Sequence, residues 1–284
     1  MTRTSRWTTY FQITPLSAIF LFFLVVPITT IVVVSFFDYT TTSIIPAFIL
    51  QNYEELLLSP VTWQTYLQTV EFALITWALT FLIGFTLAYF LAFHVRSTTW
   101  QQVLFLVCTI PFWTSNVIRM ISWIPFLGRN GLANMTLMKM GLIQQPLEFL
   151  LYSNFAVVLV YVHLYTLFMV VPIFNSMMRI DRSLLEASLD AGATSWQTLT
   201  NVILPLCKPG IAIGSIFVVT IVMGDFVTVG VMGGQQIASV GKIIQVQTSY
   251  LQFPLAAANA VVLLAVVLMI IVALTRMVDL RKEL

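Results

Sequence analysis

Charged residues are scarce in this chain. Asp, Glu, Lys and Arg make up 8% of its 284 residues, whereas a soluble chain of this size carries about 25%. Hydrophobic residues make up 59%, and the mean hydropathy is +0.96. So few charges cannot cover a water-exposed surface, so we predict an integral membrane protein. The formal net charge of +2 and the lack of a long basic run argue against nucleic acid as a partner.

Residues that carry common catalytic and metal chemistry are also scarce. The chain has two histidines, His94 and His163, and two cysteines, Cys108 and Cys207, which lie far apart without C-x-x-C spacing. No G-x-x-x-x-G-K-[ST], H-E-x-x-H or G-x-S-x-G sequence occurs, which argues against a phosphate-binding loop and an intramembrane hydrolase. We therefore expect no catalytic residue, no metal and no cofactor in this chain.

Long hydrophobic runs are abundant. A helix that crosses a bilayer needs about 20 mostly apolar residues, and six stretches meet this requirement. They lie near 13–37, 66–93, 103–124, 155–178, 210–230 and 256–278. The first is too long for the core of a cleaved signal peptide, so we interpret it as a retained span. The sequence thus predicts an all-α membrane protein, with residues 1–284 as a single transmembrane domain of six helices.

Basic residues predict the orientation of these spans. With both termini inside, nine basic residues lie in the cytoplasm and three outside, and Arg119 lies near the outer end of the third span. The nine are Arg3, Arg6, Arg96, Arg179, Arg182, Lys208, Arg276, Arg281 and Lys282, and the three are Arg129, Lys139 and Lys242. Because cytoplasmic loops carry an excess of Lys and Arg, we predict that both termini are cytoplasmic. Residues 179–209 then form the longest internal cytoplasmic loop.

Capping signals in this loop predict two short helices. Ser183 and Glu186 have the spacing of a capping box at the start of the first helix. Gly192 is placed to end that helix in a left-handed turn. Thr194–Gln197 forms a second capping box, and the helix that it opens should stop before Pro205.

The same loop resembles the EAA motif of ABC importer permeases. That motif reads Glu-Ala-Ala, three residues, Gly, nine residues, a β-branched apolar residue, one residue and Leu-Pro. This chain has Glu186-Ala187-Ser188, Gly192, Val202 and Leu204-Pro205. Ser188, itself a small residue, stands at the third position of the motif in place of alanine. The resemblance implies a coupling helix that docks into a cleft of a partner ATPase. The implied ATPase-coupling residues are Ser183, Glu186, Ala187, Ser188, Gly192, Leu204 and Pro205. The plainer alternative is an ordinary amphipathic loop at the membrane surface.

Further motifs over residues 60–275 are similar to permease subunits of spermidine/putrescine-type importers. They are Pro111-Phe112-Trp113, Arg119, Trp123, Gly131–Asn134, Ile180-Asp181, Gly224–Val227 and Gly233-Gly234. The resemblance implies a type I ABC importer permease in a bacterial inner membrane, with a five-helix core and an added first span. It also implies two ATPase subunits that bind ATP and Mg, a second permease, alike or related, and a periplasmic solute-binding protein. The implied solute is a polyamine or a related cationic amine, and permeases for opines look similar.

Three charged residues within the predicted spans are candidates for a solute path or for helix pairing. Ionisable groups at membrane depth are costly and usually face a partner or a water-filled path. We expect Asp225 in the outer half of span five, Glu71 at the outer start of span two and Arg119 at a similar height. Either the two acids contact an amine, or Arg119 pairs with Asp225 or Glu71 and holds helices together.

Aromatic residues near these positions add further candidates. Trp113, Trp123, Tyr161 and Tyr165 have rings that can bind an ammonium group, although aromatics near span ends are often interface anchors. We interpret His163 as a hydrogen-bonded packing residue. One alternative to an importer is an ATP-independent carrier or channel, but many carriers contain an inverted repeat that is not evident here. Another alternative is an exporter, but exporters usually lack the loop at 179–209.

Overall fold

Helices make up most of the chain in the computed structural model, which describes residues 6–40 and 43–276, with side chains from residue 11 onward. The helices are α1 Arg6–Phe20, α2 Val26–Val34, α3 Gln51–Leu58, α4 Pro60–Tyr89, α5 Thr98–Thr109, α6 Asn116–Ile121, α7 Ile124–Leu127, α8 Leu132–Lys139, α9 Asn154–Met178, α10 Arg182–Asp190, α11 Ser195–Thr198, α12 Leu204–Leu206, α13 Lys208–Gly224, α14 Val227–Met232, α15 Val240–Ser249 and α16 Phe253–Arg276.

Shorter elements join these helices. Three π-helical turns, Leu21–Val25, Phe90–His94 and Leu199–Ile203, continue α1, α4 and α11, and 3-10 turns occupy Ile110–Trp113 and Glu148–Leu150. Strands β1 Asp38–Tyr39 and β2 Ile44–Ile45 form a small antiparallel ribbon, in which Asp38 lies opposite Ile45 and Tyr39 opposite Ile44.

Among the residues that the structure describes, four helical segments are long and apolar enough to cross a membrane by themselves. They are Phe11–Val34, Pro60–His94, Glu148–Met178 and Phe253–Arg276. Two bent pairs complete the set, Thr98–Trp113 with Asn116–Lys139 at 89° and Ser195–Leu206 with Lys208–Gly224 at 66°. Counting each bent pair as one span makes six, which agrees with the number of hydrophobic runs. The all-α prediction is confirmed.

Two predicted spans are not continuous helices. The run 103–124 is interrupted between the 3-10 turn, which contains Pro111, and α6, because Thr114 takes an extended backbone with ψ 149°. The run 210–230 is interrupted because α13 ends at Gly224 and Asp225 is extended with ψ 122°. The first interruption lies at the 89° bend, and each interruption places a polar residue, Thr114 or Asp225, where the helical backbone ends.

The second span begins earlier than the sequence predicted. Helix α4 starts at Pro60, a residue suited to the first helical position because its missing N–H is not needed there. Glu71 is therefore about 17 Å along the helix at 1.5 Å per residue, rather than at its start. The prediction that Glu71 begins span two is wrong.

The described residues divide into two compact units. One comprises those within Met1–Trp63 and Ile243–Ala265, and the other those within Gln64–Lys242 and Val266–Leu284. The single transmembrane domain over 1–284 stays a prediction. Arg3, Arg281 and Lys282, on which the predicted orientation partly depends, lie outside the described residues, as do positions 277 and 278 of the sixth predicted span.

In the first unit, polar groups join α2 and α3. The Asn52 amide donates to the carbonyl oxygens of Ser35 at 3.0 Å and Phe37 at 2.8 Å, and the hydroxyls of Ser35 and Tyr53 are 2.6 Å apart. The apolar stretch Phe11–Val34 has no buried residue. Its side chains are thus available to contact lipid.

In the second unit, α9 packs closely against α13. Most inward positions of α9, from Ala156 to Met177, are buried. A Cβ on Gly210 would lie 2.5 Å from Ser176 Oγ, and a Cβ on Gly214 would lie 2.8 Å from Met169 Sδ. The two glycines therefore allow the helices to approach closely, as small residues do in membrane proteins.

Candidate functional site

The loop helix α10 is capped by Asp181 at its start. Asp181 has an extended backbone, with φ −66° and ψ 129°, and its carboxylate accepts a hydrogen bond from the Ser183 N–H at 3.0 Å. This bond lowers the pKa of Asp181 below its ordinary value. Ser183 lies inside the first turn, so the predicted capping box of Ser183 and Glu186 is wrong. Asp181 occupies the cap because it is the last extended residue before the helix.

Gly192 ends α10 in the left-handed turn that the sequence predicted. Its φ is +81°. The Gly192 N–H donates to the Leu189 carbonyl at 2.9 Å, and the Ala193 N–H donates to the Ser188 carbonyl at 3.0 Å. This pair of bonds defines a Schellman motif. A Cβ at Gly192 would meet no atom within 4 Å, so glycine is favoured here by backbone conformation and not by lack of space.

The second loop helix opens with the predicted capping box but does not stop at Pro205. The Gln197 N–H donates to Thr194 Oγ1 at 3.3 Å, and the Thr194 N–H donates to Gln197 Oε1 at 2.8 Å. The helix continues through the π-helical turn into α12, where the Leu204 N–H donates to the Leu199 carbonyl five residues back. This wider turn accommodates the ring of Pro205, which would clash with an α-helical carbonyl. The prediction that the helix stops before Pro205 is wrong.

Ser188 links the two loop helices. The hydroxyls of Ser188 and Thr198 are 2.7 Å apart, and the Ser188 hydroxyl also lies 3.1 Å from the Leu185 carbonyl. Thr198 is buried. Alanine, the usual residue of the motif at position 188, could not make this bond. The bond therefore holds α10 against α11.

The outer surface of this loop is partly apolar. Leu184, Leu189 and Trp196 are exposed, Trp196 by 71% of its surface. Glu186 and Ala187 lie exposed on α10 among them. Pro205 is also exposed and Leu204 is half-buried. We call residues 181–206 the coupling segment. Its exposed leucines and tryptophan are large apolar side chains that are free to contact another protein.

At the interruption of span five, Asp225 is held by three hydrogen bonds. Its carboxylate accepts from the Thr228 N–H at 2.9 Å, the Thr228 hydroxyl at 2.7 Å and the Tyr165 hydroxyl at 2.5 Å. These bonds start α14 and attach it to α9. Asp225, Tyr165 and Thr228 line a cavity of about 260 Å³ together with Asn116, Val117, Met120, Leu164 and Val227. We call it the Asp225 cavity.

Arg119 pairs with neither acid that the sequence offered. Its guanidinium Nη2 donates to Asn116 Oδ1, three residues earlier in α6. In residues 11–40 and 43–276, the ion pair found is Arg129 with Glu148 at 3.7 Å. Of the two alternatives that the sequence left open, the one in which Arg119 pairs with Asp225 or Glu71 is wrong. The short helix α6 provides Asn116 at the i−3 position, which offers the guanidinium a local acceptor.

The remaining candidates for the solute path are dispersed. Glu71 is exposed and lines an otherwise mostly apolar cavity of about 490 Å³ on α4 and α9, which shares no lining residue with the Asp225 cavity. Trp113 is 86% exposed and lines an apolar cavity of about 460 Å³ with Phe112 and Phe168. The Trp123 indole donates to His163 Nδ1 at 2.9 Å. Of the five candidates, the structure joins Asp225 and Tyr165.

Sequence reasoning missed three polar partners in these sites. Thr228 follows Asp225 by three residues, which is the spacing of a side chain that accepts from a helix N-terminus. Asn116 precedes Arg119 by the same spacing. These two were detectable in the sequence, whereas the partnership of Thr198 with Ser188 depends on the angle between two helices.

Comparisons with known proteins agree with this architecture. The family described as "Binding-protein-dependent transport system inner membrane component" matches residues 82–283. The spermidine/putrescine transport system permease protein PotB of Escherichia coli (strain K12) is 33% identical over 217 residues, covering 76% of this chain and 78% of that protein. PotB of Haemophilus influenzae is 31% identical over 228 residues, covering 79% of this chain and 78% of that protein.

The fold also matches a solved structure. A chain from the crystal structure of a bacterial alginate ABC transporter, in complex with an alginate pentasaccharide-bound periplasmic protein, superposes with a TM-score of 0.74 at 18% identity. The match covers 98% of this chain and 96% of that chain. The predictions of an ABC importer permease fold, and of a transporter subunit that is not itself an enzyme, are confirmed. The chain belongs to the family of binding-protein-dependent transport system inner membrane components.

Proposed function

We propose that the coupling segment transmits the motion of two ATP-binding subunits to the helices that enclose the solute path. ATP and Mg are bound by those partner subunits. A second, related permease completes the path, and a periplasmic solute-binding protein delivers the solute. Both termini of this chain are cytoplasmic. The chain belongs to a family of inner membrane components of binding-protein-dependent transport systems. This membership supports the proposal that its partners include an ATPase and a solute-binding protein.

The observation that carries this proposal is the construction of the coupling segment. Its first helix is capped by Asp181 and closed by Gly192. The bond between Ser188 and Thr198 attaches this helix to the next one, which runs through α12 before the bend at Cys207 that leads into α13. A segment braced in this way moves as a unit, and rigid elements of this kind convert a domain rotation into helix movement.

The apolar surface of the segment is the part that we assign to the ATPase. Leu184, Leu189 and Trp196 supply buried area on docking, and apolar area contributes about 25 cal/mol per Å². Glu186 and Ala187 lie beside them, where Glu186 can meet a basic or N–H donor of the cleft. Ser183, Ser188, Gly192, Leu204 and Pro205 maintain the shape of the segment.

The docking role is tested by replacing an exposed apolar or acidic side chain of the coupling segment with a basic one. Leu189→Arg should abolish copurification of the ATPase subunits while the chain still inserts into membranes, and Glu186→Lys should weaken it. Leu142→Arg is the matched control, because Leu142 is also an exposed leucine. The exposed fraction of its surface is 68%, against 56% for Leu189, and it lies in a segment predicted to be on the periplasmic side of the membrane. Retained copurification in the Leu189 variant, or an equal loss in the control, would refute the assignment. Solute uptake by this chain without any ATPase would favour a carrier or channel instead.

We further propose that the solute is a polyamine or a related cationic amine. The PotB relatives are named for spermidine and putrescine transport, and the Asp225 cavity has a carboxylate in its wall. In this proposal Asp225 and Tyr165 contact the amine, whereas Glu71, Trp113 and Trp123 remain candidates for other stages of the path.

The solute is tested with the complete assembly in proteoliposomes. Putrescine, spermidine and a neutral disaccharide, each offered with the cognate binding protein, should be compared for uptake and for stimulation of ATP hydrolysis. We expect stimulation by at least one amine and none by the disaccharide. Transport of the disaccharide without any amine would reject the proposed solute class.

A further inference from the structure

The cavity of about 490 Å³ on α4 and α9 has a polar end and an apolar remainder. Its polar lining residues are Glu71 and Asn154. The other lining residues are all apolar, and they are Phe72, Ile75, Leu79, Ile83, Phe155, Val158, Leu159 and Val162. We call this cavity the Glu71 groove.

The two helices run in the same direction along the Glu71 groove. Phe72 of α4 contacts Tyr161 of α9 edge to face, with the ring centroids 6.4 Å apart. Further along both helices, a Cβ on Gly84 would lie 3.0 Å from Met169 Cγ. Lining residues of α4 recur every four positions from Glu71 onward, so they form one row on the helix. That row is about 18 Å long at 1.5 Å per residue, with Glu71 at one end.

The polar end of the groove lies near the boundary between hydrocarbon and lipid head groups. Glu71 is about 13 Å from the middle of the apolar run 66–93 at 1.5 Å per residue, and the hydrocarbon core of a bilayer extends about 15 Å to either side of its centre. Asn154 is the first residue of α9, so it lies at the end of its own span. The apolar row of the groove therefore extends from head-group depth into the hydrocarbon.

The two polar side chains offer an acceptor and a donor at this depth. Glu71 is exposed and pairs with no basic residue in the described part of the chain, where the ion pair found is Arg129 with Glu148. Asn154 Oδ1 accepts from Gln68 Nε2 at 3.4 Å, which leaves the Asn154 NH2 group to donate to another acceptor. A carboxylate at membrane depth is costly and usually faces a partner. The groove is thus suited to a cation with an acceptor beside it.

From this arrangement we infer that the Glu71 groove binds a phospholipid whose head group carries a primary ammonium group. The ammonium group pairs with Glu71, a phosphate oxygen accepts from Asn154, and an acyl chain lies along the apolar row. A charge-assisted N–H···O bond of this kind is roughly twice as strong as a neutral one. The inference assigns Glu71 to a bound lipid, and it does not depend on which solute is transported.

The transported amine and a helix of a partner subunit fit this groove less well. Apart from Glu71 and Asn154, every lining residue is apolar, so the groove has no carboxylate for the further ammonium groups of a polyamine. It also shares no lining residue with the Asp225 cavity. A helix is about 10 Å across, so it would lie over this groove, whereas a single hydrocarbon chain can enter it. A phospholipid head group also supplies the cation and the acceptor together.

Native mass spectrometry of the purified permease–ATPase assembly tests this inference. The delipidated assembly would be supplied in turn with phosphatidylethanolamine, phosphatidylcholine and phosphatidylglycerol that have the same acyl chains. We expect the wild type to retain phosphatidylethanolamine most strongly, because phosphatidylcholine has no N–H donor in its head group and phosphatidylglycerol has no cation. Glu71→Gln should weaken the retention of phosphatidylethanolamine about tenfold. Equal retention of the three lipids by the wild type, or a preference that survives in Glu71→Gln, would overturn the inference.

A second set of variants tests the apolar part of the groove. Leu79→Trp should lower the retention of phosphatidylethanolamine, because the indole occupies the place of the acyl chain. Leu82→Trp is the matched control, since Leu82 is an exposed leucine of the same helix that does not line the groove. Glu148→Gln removes an exposed carboxylate outside the groove and should also leave retention unchanged. No loss in Leu79→Trp, or an equal loss in either control, would contradict the site.

Other occupants of the groove would give different results in the same assembly. If a basic residue of the proposed second permease pairs with Glu71, Glu71→Gln should lower the amount of that permease that copurifies, and this result would overturn the lipid assignment. If the solute binds Glu71, millimolar putrescine should displace phosphatidylethanolamine from the wild type, which would also overturn it. Unchanged copurification together with undisplaced lipid would support the lipid site.

Discussion

Replacing Gly192 by alanine should uncouple ATP hydrolysis from solute uptake. Gly192 closes α10 with φ +81°, a conformation that costs a residue with a Cβ about 1–2 kcal/mol. A Cβ at this position would meet no atom within 4 Å, so steric overlap adds nothing to this cost. A cost of this size lowers the population of the native turn by about 5- to 30-fold relative to its alternatives.

The assay is uptake per ATP hydrolysed in proteoliposomes that contain the full assembly. We expect Gly192→Ala to lower this ratio by up to about 5- to 30-fold while the chain inserts and assembles. Gly192→Asn should keep most of the activity, because asparagine tolerates the left-handed region. Gly192→Pro should abolish uptake, since proline cannot adopt φ +81° and removes the N–H that bonds to the Leu189 carbonyl.

Gly141 is a matched control for the same substitution. It has φ +70°, and a Cβ there also meets nothing within 4 Å, so Gly141→Ala carries a similar local cost. Gly141 lies outside the coupling segment, and its replacement should leave uptake per ATP unchanged. Normal coupling in Gly192→Ala, or an equal loss in Gly141→Ala, would refute the reasoning.

Three further predictions concern single contacts. Ser188→Ala and Thr198→Val, combined in a double-mutant cycle on thermal unfolding, should show a coupling energy of about 0.5–1.5 kcal/mol, and strictly additive effects would contradict the bond between these hydroxyls. Asp225→Asn should lower amine uptake about tenfold or more, since it weakens charge-assisted bonds of about 1.5–3 kcal/mol, without changing basal ATP hydrolysis; unchanged uptake would remove Asp225 from the solute path. Because the hydrogen bond from Ser183 lowers the pKa of Asp181 below its ordinary value of 3.8, the charged cap is fully present above that value and is lost as the pH falls through the lowered pKa. The pH profiles of uptake for wild type and Asp181→Asn should therefore run parallel between about pH 6 and 8, and profiles that diverge in this range would count against the cap.

The spans and the coupling segment were largely predictable from the sequence. A helix in lipid must satisfy its own backbone groups, so long apolar runs indicate helices wherever they occur. The left-handed turn at Gly192 and the capping box of Thr194–Gln197 depend on atoms only a few residues apart, and both predictions are confirmed. The capping box at Ser183 was wrong although it is also local, because the helix already begins at Arg182 and Asp181 is its cap, with its carboxylate accepting from the Ser183 N–H.

The interruptions of the third and fifth spans were not predictable from hydrophobicity. Thr114 and Asp225 lie within or beside apolar runs, and composition does not show whether a run is straight. Asp225 ends its helix because Thr228 and Tyr165 supply the hydrogen bonds, and Tyr165 lies 60 residues away. The partner of Arg119 was likewise not predicted, since charge alone offered an acid as one alternative where the structure has Asn116.

The amino-acid sequence by itself therefore determined the class of protein, the positions of its apolar helices and the family to which it belongs. Those properties depend on composition and on hydrogen bonds between residues close in the chain. The tertiary structure alone decided that Ser188 braces Thr198, that Tyr165 meets Asp225, and that Arg119 donates to Asn116 and not to an acid. Those contacts depend on the angles at which helices pack, and packing angles are set by many side chains acting together.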